Sequence, residues 1–279
     1  MTQQNGSTSM RLLQCHNQTL QIGARTLIMG ILNVTPDSFT DGGDFISVEA
    51  AVERAQQMAA EGADIIDIGG ESTRPGAEKV TLAEELRRVV PVVKALSAAV
   101  KLPISIDTYK AEVARQALEA GAHIINDVWG LQGDAAMSDV IVKYRCPIIL
   151  MHNRKRTNYV DFLTDVVKDL QASIQFALDA GIAPAQIVID PGFGFAKSYE
   201  QNLQLMKHLD SLVALDYPVL LGTSRKSMIG KTLQLPTNDL IEGTAATVAL
   251  GIAQGCQIIR VHDIKQMKRV ALMTDAIVR

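Results

Sequence analysis

The feature that most constrains this chain of 279 residues is a series of eight short apolar segments, each followed by a pattern typical of a helix. The segments are rich in Ile, Val and Leu, as expected of strands that are buried on both faces. Between them, apolar residues recur at helical spacing, and Gly62 and Gly121 stand where a helix commonly ends. The apolar segments cover residues 26–32, 64–70, 103–107, 123–127, 146–152, 186–190, 218–222 and 257–263.

Strand and helix units in this succession predict a single-domain α/β fold, a closed (β/α)8 TIM barrel with its active site at the carboxyl ends of the strands. An open doubly wound sheet is the alternative, but the even spacing of the units favours the barrel. The absence of a Gly-x-Gly-x-x-Gly motif after the first strand argues against a dinucleotide site. We expect a flexible tail over residues 1–10 and one barrel domain over residues 11–279, with a flap or hairpin between Leu12 and Ile22.

Composition excludes several classes of protein. A net charge of -3 gives no basic surface for nucleic acid. No apolar segment is long enough to span a bilayer, and residues 1–9 lack the apolar core of a signal peptide. Three widely spaced cysteines suggest a reducing compartment rather than a disulfide framework. We therefore expect a cytoplasmic protein without nucleic-acid or membrane partners.

Seven of the eight predicted strands carry a polar residue at or near their carboxyl end. The exception is the seventh strand, which is followed four residues later by a lysine. In a barrel the carboxyl ends of all strands meet around one mouth. A single polar residue at a strand end is often only a loop cap, but a whole set of them favours a functional site. The set consists of Asn33, Asp67, Asp107, Asn126, His152, Asp190, Lys226, Arg260 and His262.

These side chains form two groups of different chemistry. Carboxylates, an amide and a lysine suit the amino, amide and ring nitrogens of a flat heterocycle. Donors and cations suit phosphate oxygens, and late barrel strands often hold phosphate. The first group comprises Asp67, Asp107, Asn126, Asp190 and Lys226, and the second comprises Asn33, Thr73, Arg74, Arg260 and His262. The sequence thus predicts a ligand with a polar heterocycle at one end and phosphate at the other.

Five long segments of unusual composition occur in order along the chain. They are MGILNVTPDSF at 29–39, DIGGESTRPG at 67–76, DPGFGF at 190–195, SRKS at 224–227 and RVHD at 260–263. With these segments the chain resembles the dihydropteroate synthase family between Leu27 and Arg269. The resemblance implies a transferase of folate biosynthesis, which condenses 6-hydroxymethyl-7,8-dihydropterin pyrophosphate with 4-aminobenzoate to give 7,8-dihydropteroate and pyrophosphate.

The resemblance also implies roles for individual residues. Pterin would be held by Asp67, Asp107, Asn126, Asp190 and Lys226, and pyrophosphate by Asn33, Arg260 and His262 with a Mg2+ ion near Asn33. The 4-aminobenzoate, or a sulfonamide, would lie near Thr35, Pro36, Phe39, Pro75, Phe193 and Ser227. The expected catalytic residues are Asp107, Lys226, Arg74 and Asp190. The family is usually dimeric through its late helices, so we expect a homodimer.

The segment after the fifth strand departs from the family pattern. We expect residues 153–158 to form a solvated basic loop that contributes at most to anion steering, with no family role for His152 or Arg154.

Two alternatives share the predicted architecture. A pterin-binding methyltransferase that passes a folate methyl group to a corrinoid would keep the Asp and Asn residues, but it would have little use for Arg74, Lys226 or the Arg-x-His pair. A non-catalytic pterin-binding barrel would have lost the loop residues, which are present here. Both observations favour the synthase.

Overall fold

The computed structural model describes residues 10–35, 48–71 and 79–279. Strands and helices alternate through these ranges. The strands are β1 Arg11–Cys15, β2 Gln18–Ile22, β3 Leu27–Asn33, β4 Ile65–Gly69, β5 Ile104–Asp107, β6 Ile124–Asp127, β7 Ile148–Met151, β8 Ile187–Asp190, β9 Leu220–Leu221 and β10 Ile258–Val261. The helices are α1 Val48–Glu61, α2 Leu82–Ala99, α3 Ala111–Glu119, α4 Met137–Tyr144, α5 Phe162–Asp179, α6 Tyr199–Lys207, α7 Asp210–Val213, α8 Ser227–Leu233, α9 Ile241–Ala253 and α10 Ile264–Val278.

Strands β3 to β10 form one parallel sheet that curls into a ring. The order in the sheet is β8-β7-β6-β5-β4-β3-β10-β9. A parallel bridge between Ile189, on β8, and Val219, just before β9, joins the two edges of the sheet. The ring is thinnest at this seam, because β9 is only two residues long. The predicted (β/α)8 barrel is therefore confirmed.

The barrel has one apolar layer inside and a second between its strands and helices. Every other residue of a strand points inward. The inner layer includes Leu27, Met29, Ile65, Ile124, Ile149, Val188, Leu220 and Ile258. The neighbouring residues on the same strands, such as Ile66 and Ile125, pack outward against the helices. This is why the strands read as continuous apolar runs.

The hairpin expected near the start of the chain is present, and it packs against the inner layer. β1 and β2 pair antiparallel over their full lengths. Their buried side chains Leu13, Cys15 and Ile22 belong to the same apolar cluster as the barrel interior. Since the parallel strands all start at this end, the hairpin covers the amino end of the barrel and leaves the polar strand ends at the opposite mouth.

Two short helices, α7 and α8, add to the predicted pattern. Each has too few turns for apolar periodicity to indicate a helix. α8 begins at Ser227, so Lys226 occupies its N-cap position at the barrel mouth. None of the helices in the described part of the chain is long and apolar enough to cross a bilayer.

Candidate active site

Strand alternation places a layer of polar side chains directly above the inner apolar layer. On most strands the last apolar residue that points inward is followed two positions later by a residue that points the same way. These pairs are Ile65 and Asp67, Ile124 and Asn126, Ile149 and Met151, Val188 and Asp190, and Ile258 and Arg260. On β5, Ser105 and Asp107 are both buried at inward positions. The chain thus collects carboxylates, an amide and a guanidinium at one height inside the barrel.

Arg260 lies at the centre of this layer. Its Nε donates to Asp67 Oδ2 at 2.6 Å, and a second guanidinium nitrogen donates to Asp107 Oδ2 at 2.8 Å. The side-chain amide of Asn126 donates to the same Asp67 oxygen at 3.2 Å. Arg260, which the sequence grouped with the phosphate-binding residues, therefore also contacts two carboxylates of the other group. The two predicted groups are continuous in the structure.

Four buried oxygens in this layer have no hydrogen-bond partner among the described residues. They are Asp67 Oδ1, Ser105 Oγ, Asp107 Oδ1 and Asn126 Oδ1. An unsatisfied buried polar group costs roughly 1–3 kcal/mol. Buried polar atoms are normally paired, so a cluster of unpaired acceptors indicates a surface that is completed by a ligand with N–H or O–H groups.

Burial shifts the protonation of the carboxylates in the layer. It raises the pKa of Asp107 to about 7, while Arg260 opposes the rise and Asp67 adds to it. Burial also raises the pKa of Asp190, and a hydrogen bond from the Gly192 amide, 2.7 Å from Asp190 Oδ1, opposes that rise. These carboxylates are therefore sensitive to any donor or cation that approaches them.

A cavity opens onto the polar layer. Polar groups line one part of it, and flat or apolar groups line the rest. Lys226 Nζ lies over the Phe195 ring, 4.5 Å from its centroid. The lining residues are Asp107, Asn126, Val128, Met151, Asp190, Phe193, Phe195, Gly222, Lys226 and Arg260. Apolar walls with a polar edge suit a flat ring that carries several donors.

The loop after β9 is held against the end of β10. The Arg225 guanidinium donates to Asp263 at 2.6 and 3.1 Å. Ser224 Oγ lies 2.9 Å from His262 Nδ1, which orients the imidazole. The predicted residues Lys226 and His262 are therefore carried by two segments that are tied together at the mouth.

Asn33 ends β3 next to the polar layer. Gly69 on β4 separates it from Asp107: a Cβ built on Gly69 would lie 3.6 Å from Asn33 Oδ1 and 3.7 Å from Asp107 Cβ. Thr35 follows β3 by two positions, and Ser227 is the first residue of α8, so both lie just beyond a strand end. Phe193 is buried in the cavity wall.

Five of the predicted site residues lie outside the described ranges. Pro36 and Phe39 follow β3 in the sequence, and Thr73, Arg74 and Pro75 follow β4.

His152 is not in the cavity wall, contrary to its grouping with the residues of the mouth. It follows Met151, which points inward, so its own side chain points outward. Its ring nitrogens lie 3.0 Å from Asp169 Oδ2 and 2.8 Å from Lys197 Nζ. Burial lowers the pKa of His152 to about 4. Counting alternate positions along β7 would have predicted Met151 as the lining residue.

The basic loop after β7 is only partly solvated. Lys155 and Arg156 are exposed, as expected. Arg154, however, donates to Asp169, and its guanidinium lies 4.4 Å from the Tyr159 ring centroid. The prediction of a freely solvated run was wrong for this residue, because it has a carboxylate and an aromatic partner on α5 and in the same loop.

The fold and the site together define a class. A parallel barrel whose mouth carries carboxylates, an amide and a lysine around a flat cavity is a barrel enzyme for a nitrogen heterocycle. Residues 29–262 match the family model described as pterin binding enzyme.

Relatives and solved structures narrow the class to one activity. The chain is 53% identical to the dihydropteroate synthase of Clostridium beijerinckii over 264 residues, which cover 94% of this chain and 98% of the relative. It is 54% identical to the enzyme of Bacillus subtilis over 252 residues, covering 90% and 88%. A crystal structure of the Clostridium difficile dihydropteroate synthase, determined with pteroic acid, superposes with a TM-score of 0.90 at 52% identity, covering 92% of this chain and 98% of that one.

The chain belongs to the dihydropteroate synthase family. The predicted function and enzyme class are thereby confirmed: it is a dihydropteroate synthase, a transferase of the folate pathway. Both alternatives, the corrinoid-dependent methyltransferase and the non-catalytic barrel, are set aside.

Proposed function

We propose that the polar layer around Arg260 is the pterin site, and that it catalyses condensation of 6-hydroxymethyl-7,8-dihydropterin pyrophosphate with 4-aminobenzoate. The observation that carries the proposal is the set of buried oxygens without partners on Asp67, Asp107 and Asn126. The amino group and ring N–H groups of a pterin are donors of the kind these oxygens require. A Xanthomonas albilineans relative, 41% identical with a TM-score of 0.88, has been solved with 7,8-dihydropteroate.

Lys226 and Asp190 complete this pterin site. Lys226 can donate to a ring oxygen or nitrogen while its charge rests over the Phe195 ring. Asp190 faces the same cavity and is fixed by the Gly192 amide. The heterocycle would lie between these groups and Asn126.

The pyrophosphate would lie towards Asn33, His262 and Arg260. A guanidinium has five N–H donors, and Arg260 uses two on Asp67 and Asp107, so it can also donate to a phosphate oxygen. Thr73 and Arg74 would add a hydroxyl and a second guanidinium from the loop after β4. Arg260 would then link the leaving group to the carboxylates that face the pterin.

Catalysis in this proposal is electrostatic. Donors and cations lower the charge on the departing pyrophosphate, and Asp107 and Asp190 stabilise the positive charge that spreads over the dihydropterin. The layer is shielded from water, so these interactions are stronger than in bulk solvent. The arylamine is neutral and nucleophilic, so no strong general base is required. Arg74 and Lys226 are the cationic members of the catalytic set.

A Mg2+ ion fits this arrangement if it is coordinated by both the protein and the substrate. The described residues contain no cluster of three or more His, Cys, Asp or Glu that could hold a metal alone. Mg2+ commonly keeps several waters and binds one or two protein oxygens together with substrate phosphates. The amide oxygen of Asn33, at the end of β3, is suited to that role. When bound, the ion would supply positive charge to the pyrophosphate.

The 4-aminobenzoate would bind on the open side of the pterin. We assign Thr35, Pro36, Phe39, Pro75, Phe193 and Ser227 to this subsite, and the loops after β3 and β4 to its cover. The Xanthomonas albilineans enzyme, 43% identical with a TM-score of 0.92, has been solved with 4-aminobenzoic acid. The Yersinia pestis enzyme, 42% identical, has been solved with a sulfonamide drug. Sulfonamides would compete for the same subsite here.

The proposal extends to a homodimer of barrel domains spanning residues 11–279. The last two helices carry exposed apolar side chains that a partner subunit could cover: Leu250, Leu272, Met273 and Ile277. A cytoplasmic location agrees with the three cysteines, Cys15, Cys146 and Cys256, which are buried as free thiols.

The direct test of function is pyrophosphate release when the purified enzyme receives both substrates with Mg2+. We expect pyrophosphate release to require both substrates. We also expect a sulfonamide to inhibit dihydropteroate formation competitively with respect to 4-aminobenzoate. Release that is independent of 4-aminobenzoate would contradict the proposed condensation, since it would indicate simple hydrolysis of the pterin pyrophosphate.

A further inference from the structure

Lys197, in the loop between β8 and α6, has all three ammonium hydrogens directed at acceptors. Its Nζ lies 2.8 Å from His152 Nδ1, 2.9 Å from the Gly192 carbonyl oxygen and 3.1 Å from the Phe195 carbonyl oxygen. An ammonium has three donors and no acceptor, so the group is saturated. Lys197 is absent from the cavity wall, and the proposed catalytic roles do not use it.

The partner histidine is oriented by a second residue. For His152 Nδ1 to accept from Lys197, the ring hydrogen must be on Nε2. Nε2 lies 3.0 Å from Asp169 Oδ2, which is a suitable acceptor for that hydrogen. Asp169 is in turn bound by Arg154. The chain of contacts from Asp169 through His152 therefore presents a fixed acceptor to Lys197.

The two carbonyls that Lys197 holds belong to residues with direct roles in the cavity. The Gly192 amide donates to Asp190 Oδ1 at 2.7 Å, so the position of Gly192 sets that carboxylate. The Phe195 ring lies 4.5 Å from Lys226 Nζ, so the position of Phe195 affects that lysine. One ammonium thus ties together the backbone on both sides of Phe193.

Other contacts hold the remaining parts of this loop, and of the two carbonyls the Gly192 one also accepts from the Phe195 amide at 3.1 Å. The Gly194 amide donates to Asn202 Oδ1 at 2.8 Å, and Tyr159 Oη donates to the Ala196 carbonyl at 2.9 Å. Burial lowers the pKa of Lys197 to about 7, so the ammonium form is costly at this point. If the position served packing alone, an apolar side chain would fill it at a lower desolvation cost.

We propose that Lys197, oriented by His152 and Asp169, is a positioning residue that presets Asp190, Phe195 and Lys226 for the pterin. This inference rests on the pterin site proposed above. It predicts a defect in pterin affinity rather than a general loss of activity, because the groups that contact substrate are kept and only their placement is lost.

The test is the variant Lys197→Met, which keeps an unbranched side chain of similar length and removes the three N–H donors. Lys207→Met, at an exposed position in the last turn of α6, is the matched control. The dissociation constant of 6-hydroxymethylpterin, measured by isothermal titration calorimetry, should rise about 10-fold or more in Lys197→Met and stay unchanged in the control. KM for the pterin pyrophosphate should rise with it, while kcat at saturation falls less than KM rises.

A lower melting temperature with unchanged pterin affinity and KM would overturn the proposal and leave only a structural role. Should Lys197→Met fail to fold, the variant Asp169→Asn provides the test, since Asp169 is partly exposed and is not among the residues of the cavity wall. It should weaken pterin binding in the same direction by a smaller factor, and unchanged binding would again overturn the inference. Failure of the proposed function would give a different result from failure of this inference, because the wild-type enzyme itself would then release no pyrophosphate.

Discussion

At the scale of single residues, the electrostatics of the barrel mouth depend on Arg260. Its guanidinium bonds Asp67 and Asp107 inside the barrel, and each of these carboxylates keeps one oxygen without a partner among the described residues. Removing one member of a buried ion pair leaves the other charge uncompensated and costs about 3–5 kcal/mol. Arg260 therefore stabilises the two carboxylates, while their remaining oxygens stay available to a ligand.

The raised pKa of Asp107 leads to a pH-dependent reaction. Below its pKa of about 7 the carboxyl group is protonated and cannot stabilise a cation; above it the carboxylate is present. We expect kcat/KM for the pterin pyrophosphate to rise with pH through about 7. In Asp107→Asn the rate should be much lower and this acidic limb should disappear.

The control for this variant is Asp139→Asn, an exposed aspartate at the start of α4. It should reproduce the wild-type profile. An acidic limb that persists unchanged in Asp107→Asn would assign the titration to another group.

Gly192 and Gly181 allow a matched test of close backbone packing. Both have positive φ, +70° and +94°, so an alanine at either is strained. At Gly192 a Cβ would also lie 2.0 Å from the His152 carbonyl oxygen, whereas at Gly181 the nearest atom is 4.0 Å away. Gly192→Ala should therefore lose at least about 2 kcal/mol more unfolding free energy than Gly181→Ala in urea denaturation. Equal losses would mean that the clash is relieved by a small shift.

Single residues also differ in how far the sequence predicts them. The polar strand ends Asp67, Asp107, Asn126 and Asp190 were predicted as a group, because parallel strands end at one edge and alternate in direction. The bonds from Arg260 to Asp67 and Asp107 were not predicted. They reach across β3, and to Asp107 across β4 as well, and only the curvature of the sheet brings these side chains together. Lys197 was missed because two of its three acceptors are backbone carbonyls, which leave no pattern in side-chain identity.

At the scale of elements, the β1–β2 hairpin and the polar layer occupy opposite ends of the barrel. Leu13 and Ile22 pack on the inner apolar layer, while the site lies at the carboxyl ends of the strands. The hairpin thus contributes to stability and not to substrate contacts. The short helix α8 instead contributes to the site, since it starts at the barrel mouth with Lys226 at its N-cap.

Alanine variants of Leu13 and its neighbour Leu12 can separate the contribution of the hairpin to stability from any contribution to activity. Leu13 is 3% exposed in the apolar cluster and Leu12 is 51% exposed on the other face of β1. Leu13→Ala should cost about 2–4 kcal/mol of unfolding free energy, and Leu12→Ala less than about 0.5 kcal/mol. Below both melting temperatures, each variant should keep the wild-type kcat/KM. A lower kcat/KM in folded Leu13→Ala would show that the two ends of the barrel are coupled.

At the scale of the whole molecule, the fold was predictable and the assembly is proposed. Eight apolar runs alternating with helical patterns define the barrel. In three of them a proline lies within two residues before the start of the strand, as at β5, β7 and β9. The exposed apolar side chains of α9 and α10 follow from no such pattern. Met273 and Ile277 are four residues apart and share one face of α10, which supports a paired surface.

The homodimer can be tested by sedimentation. Wild-type enzyme should sediment as a dimer and Met273→Glu as a monomer, because a carboxylate in an apolar interface is not compensated. Leu203→Glu, on exposed α6, should remain dimeric. A monomeric wild type would contradict this part of the account.

The central claim is that the unpaired buried oxygens around Arg260 bind the pterin. Its most direct test is the dissociation constant of 6-hydroxymethylpterin for Asn126→Leu, which replaces the amide with an apolar group of similar size. Loss of hydrogen bonds to a buried acceptor predicts about 10–100-fold weaker binding than in the wild type. Binding that is unchanged in Asn126→Leu, measured by the same titration, would place the pterin elsewhere.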